Sequence, residues 1–240
     1  MGGNRGGGYA PCVLVAARSG VRIPAGVRAE VAVPAVPLTV RHEAVRMGGV
    51  APGDRVLVLG PGNIGQGIAL FARAAGARQV VVAGHGDAAR LPVLRQLGFD
   101  DLVDFAETGG MEQGLAPYLA EGPFDVVIEA TGAAAVINPA LVALKPHGVL
   151  VVTGIHAAPV PIDLTAMVRK HQQIRASYRA PEHNWPVVVE FMRTHQATLR
   201  HMITHRVPLP DAYAGFTLAR NKSATKVMVL PGAVNTAVAA

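Results

Sequence analysis

The sequence predicts an α/β protein built on a doubly wound, six-stranded parallel sheet, and three observations support that fold class. Short apolar runs alternate with helix-like segments from residue 55 to residue 195. The first run, Val56–Leu59, does not alternate with polar residues, which is typical of a strand buried on both faces. It leads into a glycine-rich turn, Gly60–Gly65, and then into an alanine-rich helix that ends at Gly76. Repeated strand–turn–helix units predict right-handed crossovers and a parallel sheet.

The segment before this region predicts short β elements and one helix. Residues 9–37 contain β-like runs separated by prolines, at Cys12–Ala16, Gly20–Pro24 and Ala29–Pro34, and a helix is expected at Leu38–Gly49. Three short strands are too few to close a domain of their own.

Six strands and six helices are then expected in alternation. The strands are Arg55–Leu59, Gln79–Ala83, Leu102–Val103, Asp125–Ile128, Gly148–Thr153 and Gln173–Ser177; the helices are Asn63–Ala75, Asp87–Leu97, Met111–Ala120, Ala133–Leu144, Leu164–Lys170 and Trp185–His195. The sixth strand would lie at a sheet edge, and an exposed edge needs a partner or a cover.

The last segment breaks this rhythm. A strand from Ile203, a helix at Asp211–Ala219 and a strand at Lys226–Leu230 form a tail, which we expect to lie with the N-terminal β piece and not in the main sheet. His201 and His205 are four residues apart, but the prolines that follow favour extended backbone there. Since no cysteine or acid stands at ligand spacing, we predict no metal site.

Composition excludes several classes of protein. With 240 residues, 50% hydrophobic and 16% charged, the chain is globular and long enough for a sizeable core. Its net charge of +6 comes from scattered basic residues with few aromatics beside them, which argues against nucleic-acid binding. The single cysteine, Cys12, excludes an intramolecular disulfide and favours a reducing compartment.

Neither a targeting segment nor a membrane span is expected. The residues after Met1 lack the apolar core of a signal peptide, so we expect a cytoplasmic protein. Val126–Leu144 is apolar and long enough to raise the question of a membrane span. It is interrupted by polar and helix-breaking residues, namely Glu129, Gly132, Asn138 and Pro139, and it divides into a strand and a helix.

The glycine turn has the G-x-G-x-x-G pattern of dinucleotide sites. Gly60 permits a tight turn, Gly62 allows backbone to approach a pyrophosphate, and Gly65 allows the helix to pack closely on the strand. The helix N-terminus offers free N–H groups to phosphates. The pattern alone also occurs in simple structural turns, but the strand and helix around it favour dinucleotide binding.

The second strand lacks the expected acid. A carboxylate about 20 residues after the glycines usually grips the adenosine ribose, yet Ala83 is followed by Gly84-His85-Gly86. Without that acid, His85 or Arg90 could meet a 2′-phosphate, which favours NADP(H) modestly over NAD(H). The alternative is that Asp87 simply caps the next helix and Arg90 is a solvated helix residue.

Two further strand ends carry small residues. Glu129-Ala-Thr131-Gly132 follows the fourth strand, and Thr153-Gly154-Ile155 follows the fifth. Because ligands of such folds bind at the carboxyl ends of the strands, these residues could approach a ribose and a nicotinamide. A tight turn explains Gly132 alone well, but it explains the pair less well.

Taken together, these motifs resemble the medium-chain dehydrogenase/reductase family, in particular its zinc-type alcohol, sorbitol and threonine dehydrogenases. The segments that carry the resemblance are Gly7–Ala10, Ala44–Gly65, Asp125–Gly132, Leu144–Ile155 and Ile203–Leu209. The resemblance covers nearly the whole chain. It implies a Rossmann nucleotide-binding domain at residues 38–195, remnants of a GroES-like catalytic domain at 1–37 and 196–232, and a tail at 233–240.

The resemblance also implies roles for matched positions. The pyrophosphate would be held by Gly60, Gly62, Asn63, Ile64 and Gly65, and the ribose and nicotinamide would be lined by Thr131, Gly154 and Ile155. Ser177 would lie near the nicotinamide. Lys226 would contact the pyrophosphate, although a solvated lysine at a strand end is the alternative. Family members commonly dimerise through the sixth strand, so a homodimer is expected.

The departures from the family concern zinc. The family's catalytic zinc is held by a Cys and a His-Glu pair in the first domain, and its structural zinc is held by four cysteines. This sequence contains none of these sets, and Val36 stands where the family has an acid near the zinc. Zinc is therefore expected for the family but has no predicted ligands in this chain. No catalytic residue is assigned, and we expect a truncated form.

The function implied is hydride transfer between a small-molecule alcohol or carbonyl compound and NAD(P), with weak or no activity in this chain. Two alternatives stay open. One is a non-catalytic NAD(P)-binding module, and the other is a zinc-independent quinone or enoyl reductase. A methyltransferase is disfavoured because it also needs an acid after the second strand.

Overall fold

The computed structural model describes residues 6–179 and 181–232, and it contains the six-stranded parallel sheet that the sequence predicts. The strands are β1 (Arg55–Leu59), β2 (Gln79–Gly84), β3 (Leu102–Asp104), β4 (Phe124–Glu129), β5 (Leu144–Val152) and β6 (Gln173–Ala176). Their order is β3-β2-β1-β4-β5-β6, so the chain winds outward to β3 and then returns to place β4 beside β1. The sheet therefore has its switch point between β1 and β4, where such folds bind ligands.

Ten α-helices accompany the strands in the described part of the chain. They are α1 (Ala29–Ala32), α2 (Ala35–Gly48), α3 (Asn63–Ala74), α4 (Leu91–Gln96), α5 (Met111–Ala120), α6 (Ile137–Ala143), α7 (Leu164–Arg169), α8 (Asn184–Thr194), α9 (Gln196–His201) and α10 (Ala212–Arg220). Short 3-10 turns lie at Ala17–Ser19, Ala134–Val136 and Leu209–Asp211.

The sheet is covered by helices on both faces, which explains the apolar, non-alternating strands. In β1, Val56 and Val58 join a core that contains residues of α2, α3, α4 and α8. Leu57 and Leu59 point to the opposite core, which contains residues of α5 and α6. Because both faces are buried, every residue of β1 is buried, and the doubly wound arrangement is confirmed.

A second, two-stranded parallel sheet pairs β7 (Ile203–Pro208) with β8 (Lys226–Leu230), and α10 connects them. This confirms that the tail is not part of the main sheet. It contacts the N-terminal segment, since the Tyr9 and Phe216 rings lie 5.3 Å apart and Arg206 donates to Glu30 at 3.1 Å.

The prediction of three N-terminal strands is wrong; they were expected at Cys12–Ala16, Gly20–Pro24 and Ala29–Pro34. The first two stretches form no ladder with another described strand, and Leu14 there is 83% exposed. The third forms α1, where Val31 is fully buried in the core beside α2. β-branched composition favoured strands, but a strand needs a neighbour for its backbone groups, and no described strand lies alongside these residues.

Two helix boundaries also differ from expectation. The helix expected at Asp87–Leu97 begins only at Leu91, with Pro92 in its first turn, because Asp87–Arg90 forms a separate turn. The helix expected at Ala133–Leu144 splits into a 3-10 turn and α6, and β5 begins directly at Leu144. Strand β6 lies at the edge of the sheet, as expected. None of the described helices has both the length and the apolar character that crossing a bilayer would require.

Candidate functional site

Most of the predicted site residues lie at the carboxyl ends of the strands of the main sheet, because the loops that follow parallel strands all leave the sheet at that end. Gly60 follows β1, His85 follows β2, and Thr131 follows β4. Ile155 follows β5 and Ser177 follows β6. Residues more than a hundred positions apart are thereby brought to the carboxyl ends of neighbouring strands.

The turn between β1 and α3 is too close-packed for side chains at two of its glycines. Gly60 has a φ of +113°, and a Cβ there would lie 3.0 Å from the Ala130 carbonyl oxygen. A Cβ on Gly65 would overlap the carbonyl oxygen of Gly60 outright. Helix α3 therefore packs directly on the turn, with its N-terminus at the switch point of the sheet.

Gly62 differs from these two glycines because a side chain there would meet only an ordinary contact, with the guanidinium of Arg90. It is the N-cap of α3, no described side chain caps this helix end, and the nearest atom to a Cβ there would be Arg90 Nη1 at 3.7 Å. The first N–H groups of a helix have no partner within the helix. The turn therefore presents the N–H groups of Asn63, Ile64 and Gly65, together with the positive end of the helix dipole.

A buried arginine lies beneath this helix end. Arg41 of α2 is fully buried, and its Nη2 donates to Asn63 Oδ1 at 2.6 Å. Its Nε and Nη1 are buried without a hydrogen-bond partner among the described residues. Burial lowers the pKa of Arg41 to about 9. Sequence patterns carried no signal for this residue, since it belongs to none of the motifs.

Lys226 opens β8 and lies near the same helix end. With Asn63 and Thr225 it lines a pocket of about 240 Å³, which we call the Lys226 pocket. Burial and the charge of Arg41 lower the pKa of Lys226. Lys226 is half-buried, so it is not the freely solvated lysine of the alternative interpretation.

A larger pocket of about 660 Å³ opens beside the turn, between the ends of β1, β2 and β4. It is lined by Gly60, Gly62, His85, Arg90, Thr131 and Lys222, among others, and we call it the glycine-turn pocket. Its charged lining side chains, within the described part of the chain, are Asp87, Arg90 and Lys222. Lys222, from the turn after α10, is a second residue that sequence reasoning missed.

Asp87 occupies the place of the missing acid of β2. A Cβ on Gly84 would lie 2.5 Å from Asp87 Oδ2, so the carboxylate folds back over that glycine. It accepts from the His85 backbone N–H at 3.1 Å and from Arg90 Nη1 at 3.1 Å, and it is 4% exposed. The interpretation of Asp87 as the cap of the next helix is wrong, since Arg90 is the residue that precedes α4.

Arg90 connects this pocket to the C-terminal tail. Besides Asp87, its guanidinium donates to the carbonyl oxygens of Ala224, at 3.2 Å, and Ala219, at 3.5 Å. Its side chain is 17% exposed, so the alternative of a solvated helix residue is wrong. Gln66 of α3 strengthens the same connection by donating to Thr225 Oγ1 at 3.0 Å.

Asp104, at the end of β3, fixes the loop after β2. Burial alone would raise the pKa of its carboxyl group, but the backbone N–H groups of Asp87, Gly86 and Ala106 donate to it and hold that pKa below its ordinary value. The loop that carries His85 is therefore anchored from beneath by an ionised carboxylate.

The loops after β4 and β5 touch through their glycines. A Cβ on Gly154 would overlap the Gly132 nitrogen, and one on Gly132 would lie 2.5 Å from the Ile155 carbonyl oxygen. Buried Glu129 accepts from the backbone N–H groups of Thr131, at 2.5 Å, and Gly132, at 2.7 Å. Mutual packing thus supplies a structural reason for the glycine pair, which a single tight turn explained less well.

A third pocket, of about 440 Å³, lies at the ends of β5 and β6, and we call it the strand-end pocket. It is lined mainly by apolar and small polar side chains: Val36, Thr39, Val40, Thr153, Ile155, Ser177, Tyr178, Arg179 and Trp185. Ile155 is 77% exposed, whereas Ser177 is buried with an Oγ that has no described hydrogen-bond partner.

The predicted residues therefore fall into three neighbouring pockets. Gly60, Gly62, His85, Arg90 and Thr131 line the glycine-turn pocket; Asn63 and Lys226 line the Lys226 pocket; Ile155 and Ser177 line the strand-end pocket. Ile64, Gly65 and Gly154 line none of these and support the loops from behind.

The described residues contain no group of side chains that could hold a metal ion. Within 6–179 and 181–232, no three histidine, cysteine or acidic side chains are grouped as metal ligands would be. His201 ends α9 and His205 lies in β7, so these two do not share a helix face, as predicted.

Comparison with known proteins identifies the class of protein that has this fold and this site. Residues 63–194, more than half of the chain, match the family of zinc-binding dehydrogenases. The sorbitol dehydrogenase of Macaca fascicularis is 33% identical over 198 residues, which cover 80% of this chain and 54% of that protein. The chain belongs to the zinc-binding dehydrogenase family, an oxidoreductase family, and it spans about half the length of the curated relatives that it matches.

Solved structures show the same fold. An alcohol dehydrogenase from Thermotoga maritima superimposes with a TM-score of 0.81 at 23% identity, covering 88% of this chain and 60% of that one. A Sinorhizobium meliloti protein solved with NADP bound gives a TM-score of 0.73 at 24% identity, covering 88% and 62%. These likenesses confirm the Rossmann arrangement of the main sheet.

Proposed function

We propose that this chain binds NAD(P)(H), with the diphosphate of the cofactor at the N-terminus of α3. The observation that carries this proposal is the open, uncapped helix end at Gly62 between two glycines that admit no side chain. A diphosphate there would accept N–H donors from the first turn of α3 and would be attracted by Lys226 and Arg41.

The two halves of the cofactor would extend to opposite sides of the turn. The adenosine half would lie in the glycine-turn pocket against His85, Arg90 and Thr131. The nicotinamide half would pass Gly154 and reach Ile155 and Ser177 at the strand-end pocket. The NADP found in the Sinorhizobium meliloti relative is compatible with NADP(H) as the preferred form, which the cations of the glycine-turn pocket also favour.

The reaction proposed is hydride transfer between a small-molecule alcohol or carbonyl compound and the nicotinamide, which supplies the redox chemistry when bound. The described residues do not fit a catalytic zinc, so the proposed reaction includes no step through a metal. We further propose weak or no alcohol turnover by this chain alone, pairing of two copies through β6, and the division into residues 1–37, 38–195, 196–232 and 233–240.

The binding proposal is tested by changing charge alone at the open glycine. Gly62→Asp and Gly62→Asn both place a good N-cap on α3, and neither side chain meets a packed atom at its Cβ. Because the carboxylate would repel a diphosphate, Gly62→Asp is expected to bind NADH and NADPH at least about tenfold more weakly than Gly62→Asn. Isothermal titration calorimetry gives both affinities.

Thermal melting serves as the control, and both variants should melt at or above the temperature of the parent chain. If Gly62→Asp and Gly62→Asn bind the cofactors equally well, the diphosphate does not lie at this turn. A turnover screen of the same samples with polyols, quinones and enones separates a slow dehydrogenase from a zinc-independent reductase and from a module that only binds.

A further inference from the structure

We propose that Lys222, in the turn between α10 and β8, is the residue that selects a 2′-phosphate on the adenosine ribose and so favours NADP(H) over NAD(H). This inference rests on the proposed dinucleotide function. It assigns cofactor discrimination to the C-terminal tail, 137 positions away from the loop after β2 that it contacts.

Lys222 lines the glycine-turn pocket and contacts the loop after β2. Its Nζ donates to the His85 carbonyl oxygen at 2.8 Å and lies 3.7 Å from Asp87 Oδ2. The side chain is 49% exposed, so its ammonium group retains donors that can turn toward a ligand. The contact places a half-exposed cation at the loop where a dinucleotide ribose is normally held.

The backbone at Lys222 is one that glycine would adopt more easily. Its φ is +59°, in the left-handed region, and the chain there closes α10 through a bond from Ser223 N to the Leu218 carbonyl oxygen at 3.0 Å. A lysine in this conformation is less stable than glycine would be. The position therefore carries a side chain at a structural disadvantage, as functional positions often do.

The acid near the ribose position is not free to bind hydroxyl groups. Asp87 is 4% exposed, Arg90 binds one of its oxygens, and the His85 N–H binds the other. An NAD-type ribose needs an accessible carboxylate acceptor, and Asp87, which is almost fully buried, does not offer one.

The guanidinium of Arg90 is likewise occupied by hydrogen bonds within the protein. It binds Asp87 and the tail carbonyl oxygens of Ala219 and Ala224, and it is 17% exposed. Lys222 and Arg90 are the two cationic side chains among the described residues that line the pocket. Lys222 has exposed donors, whereas Arg90 neutralises Asp87 and holds the tail in place. The charged lining thus has an excess of one positive charge, which suits a phosphate monoester.

The test compares the affinities for NADP⁺ and NAD⁺ in the full chain and its Lys222 variants. Lys222→Gly removes the ammonium group and relieves the left-handed backbone, so it should melt no lower than the parent chain. We expect NADP⁺ to bind about tenfold more weakly to Lys222→Gly, with NAD⁺ unchanged within about twofold. Lys222→Arg keeps the charge and should keep most of the preference.

Arg90→Met provides the structural contrast. It is expected to lower the melting temperature and to weaken NADP⁺ and NAD⁺ by similar factors, because it releases both Asp87 and the tail. A Lys222→Gly chain that loses both cofactors equally, or neither, would overturn the assignment of Lys222 while leaving dinucleotide binding intact. A parent chain that binds neither cofactor would overturn the proposed function and this inference together.

Discussion

The two ends of the site differ in how their side chains are held. In the glycine-turn pocket, charged groups are fixed by one another and by backbone: Asp87 by Arg90, Arg90 by the tail, and Lys222 by the His85 carbonyl oxygen. In the strand-end pocket the lining is apolar or weakly polar, Ile155 is largely exposed, and Arg179 is the one charged residue among the described lining.

This difference suits the glycine-turn pocket to recognition of a phosphorylated ligand and the strand-end pocket to the part of the cofactor that reacts. The first pocket holds preorganised donors and cations, which are what a phosphorylated ligand needs. The second offers an apolar face, which can hold a nicotinamide but places no described acid beside it. We therefore expect changes in the first pocket and its turn to have larger effects on cofactor binding than changes in the second.

The largest effect is expected from Gly65→Ala. Its methyl group would meet the Gly60 carbonyl oxygen, so α3 must move away from the turn. We expect the free energy of unfolding to fall by at least about 3 kcal/mol and cofactor binding to be lost. Urea unfolding measures the first effect and calorimetry the second.

Gly62→Ala is the matched control for this change, because it adds the same methyl group to the same turn where nothing lies closer than 3.7 Å. Because alanine is a poorer N-cap than glycine, Gly62→Ala should lower the free energy of unfolding by no more than about 1 kcal/mol. Equal stability of Gly65→Ala and Gly62→Ala would show that the turn is not a rigid element.

An intermediate effect, of opposite sign, is expected from Arg41→Met. The buried guanidinium has two nitrogens without partners among the described residues, so replacing it with an uncharged side chain should stabilise the fold by about 1 to 3 kcal/mol at pH 7 in anion-free buffer. The same change removes a charge from beneath the proposed diphosphate position, so ADP should bind more weakly.

The stability difference at Arg41 should depend on pH. Since burial lowers the pKa of Arg41 to about 9, the folded chain releases this proton at a lower pH than the unfolded chain does. The penalty is present in full well below that pKa and diminishes as the pH rises through it, so the advantage of Arg41→Met should shrink as the pH rises through about 9. A constant difference for Arg41→Met over this pH range would contradict the prediction.

The smallest effect is expected at the strand-end pocket. Ile155→Ala truncates a side chain that is 77% exposed, so stability should change by less than about 0.5 kcal/mol. We expect NADH to bind about threefold more weakly and ADP to bind unchanged. If ADP weakens as much as NADH, Ile155 does not lie at the nicotinamide end, and the contrast between the two pockets fails.

Much of the main sheet could be predicted because its central strands are buried on both faces. Continuous apolar runs located β1, β2, β4 and β5, whereas the short β3 and the exposed β6 followed from the alternation of strands and helices; the helix α5 was predicted to the residue. Prediction failed at Cys12–Ala16, where β-branched residues are exposed and pair with no described strand. It also failed at Asp87–Arg90, where a carboxylate that resembled a helix cap folds back over Gly84 instead.

The sequence by itself determined the parallel sheet, the glycine turn and the family, because these depend on local patterns of apolar residues and glycines. Only the tertiary structure decided which charges meet. Asp87 and Arg90 are only three residues apart, but Lys222 reaches Asp87 through the packing of the tail against the loop after β2, and Arg41 reaches Asn63 because α2 packs on α3. Such contacts depend on how distant segments fold together, and no spacing along the chain records that.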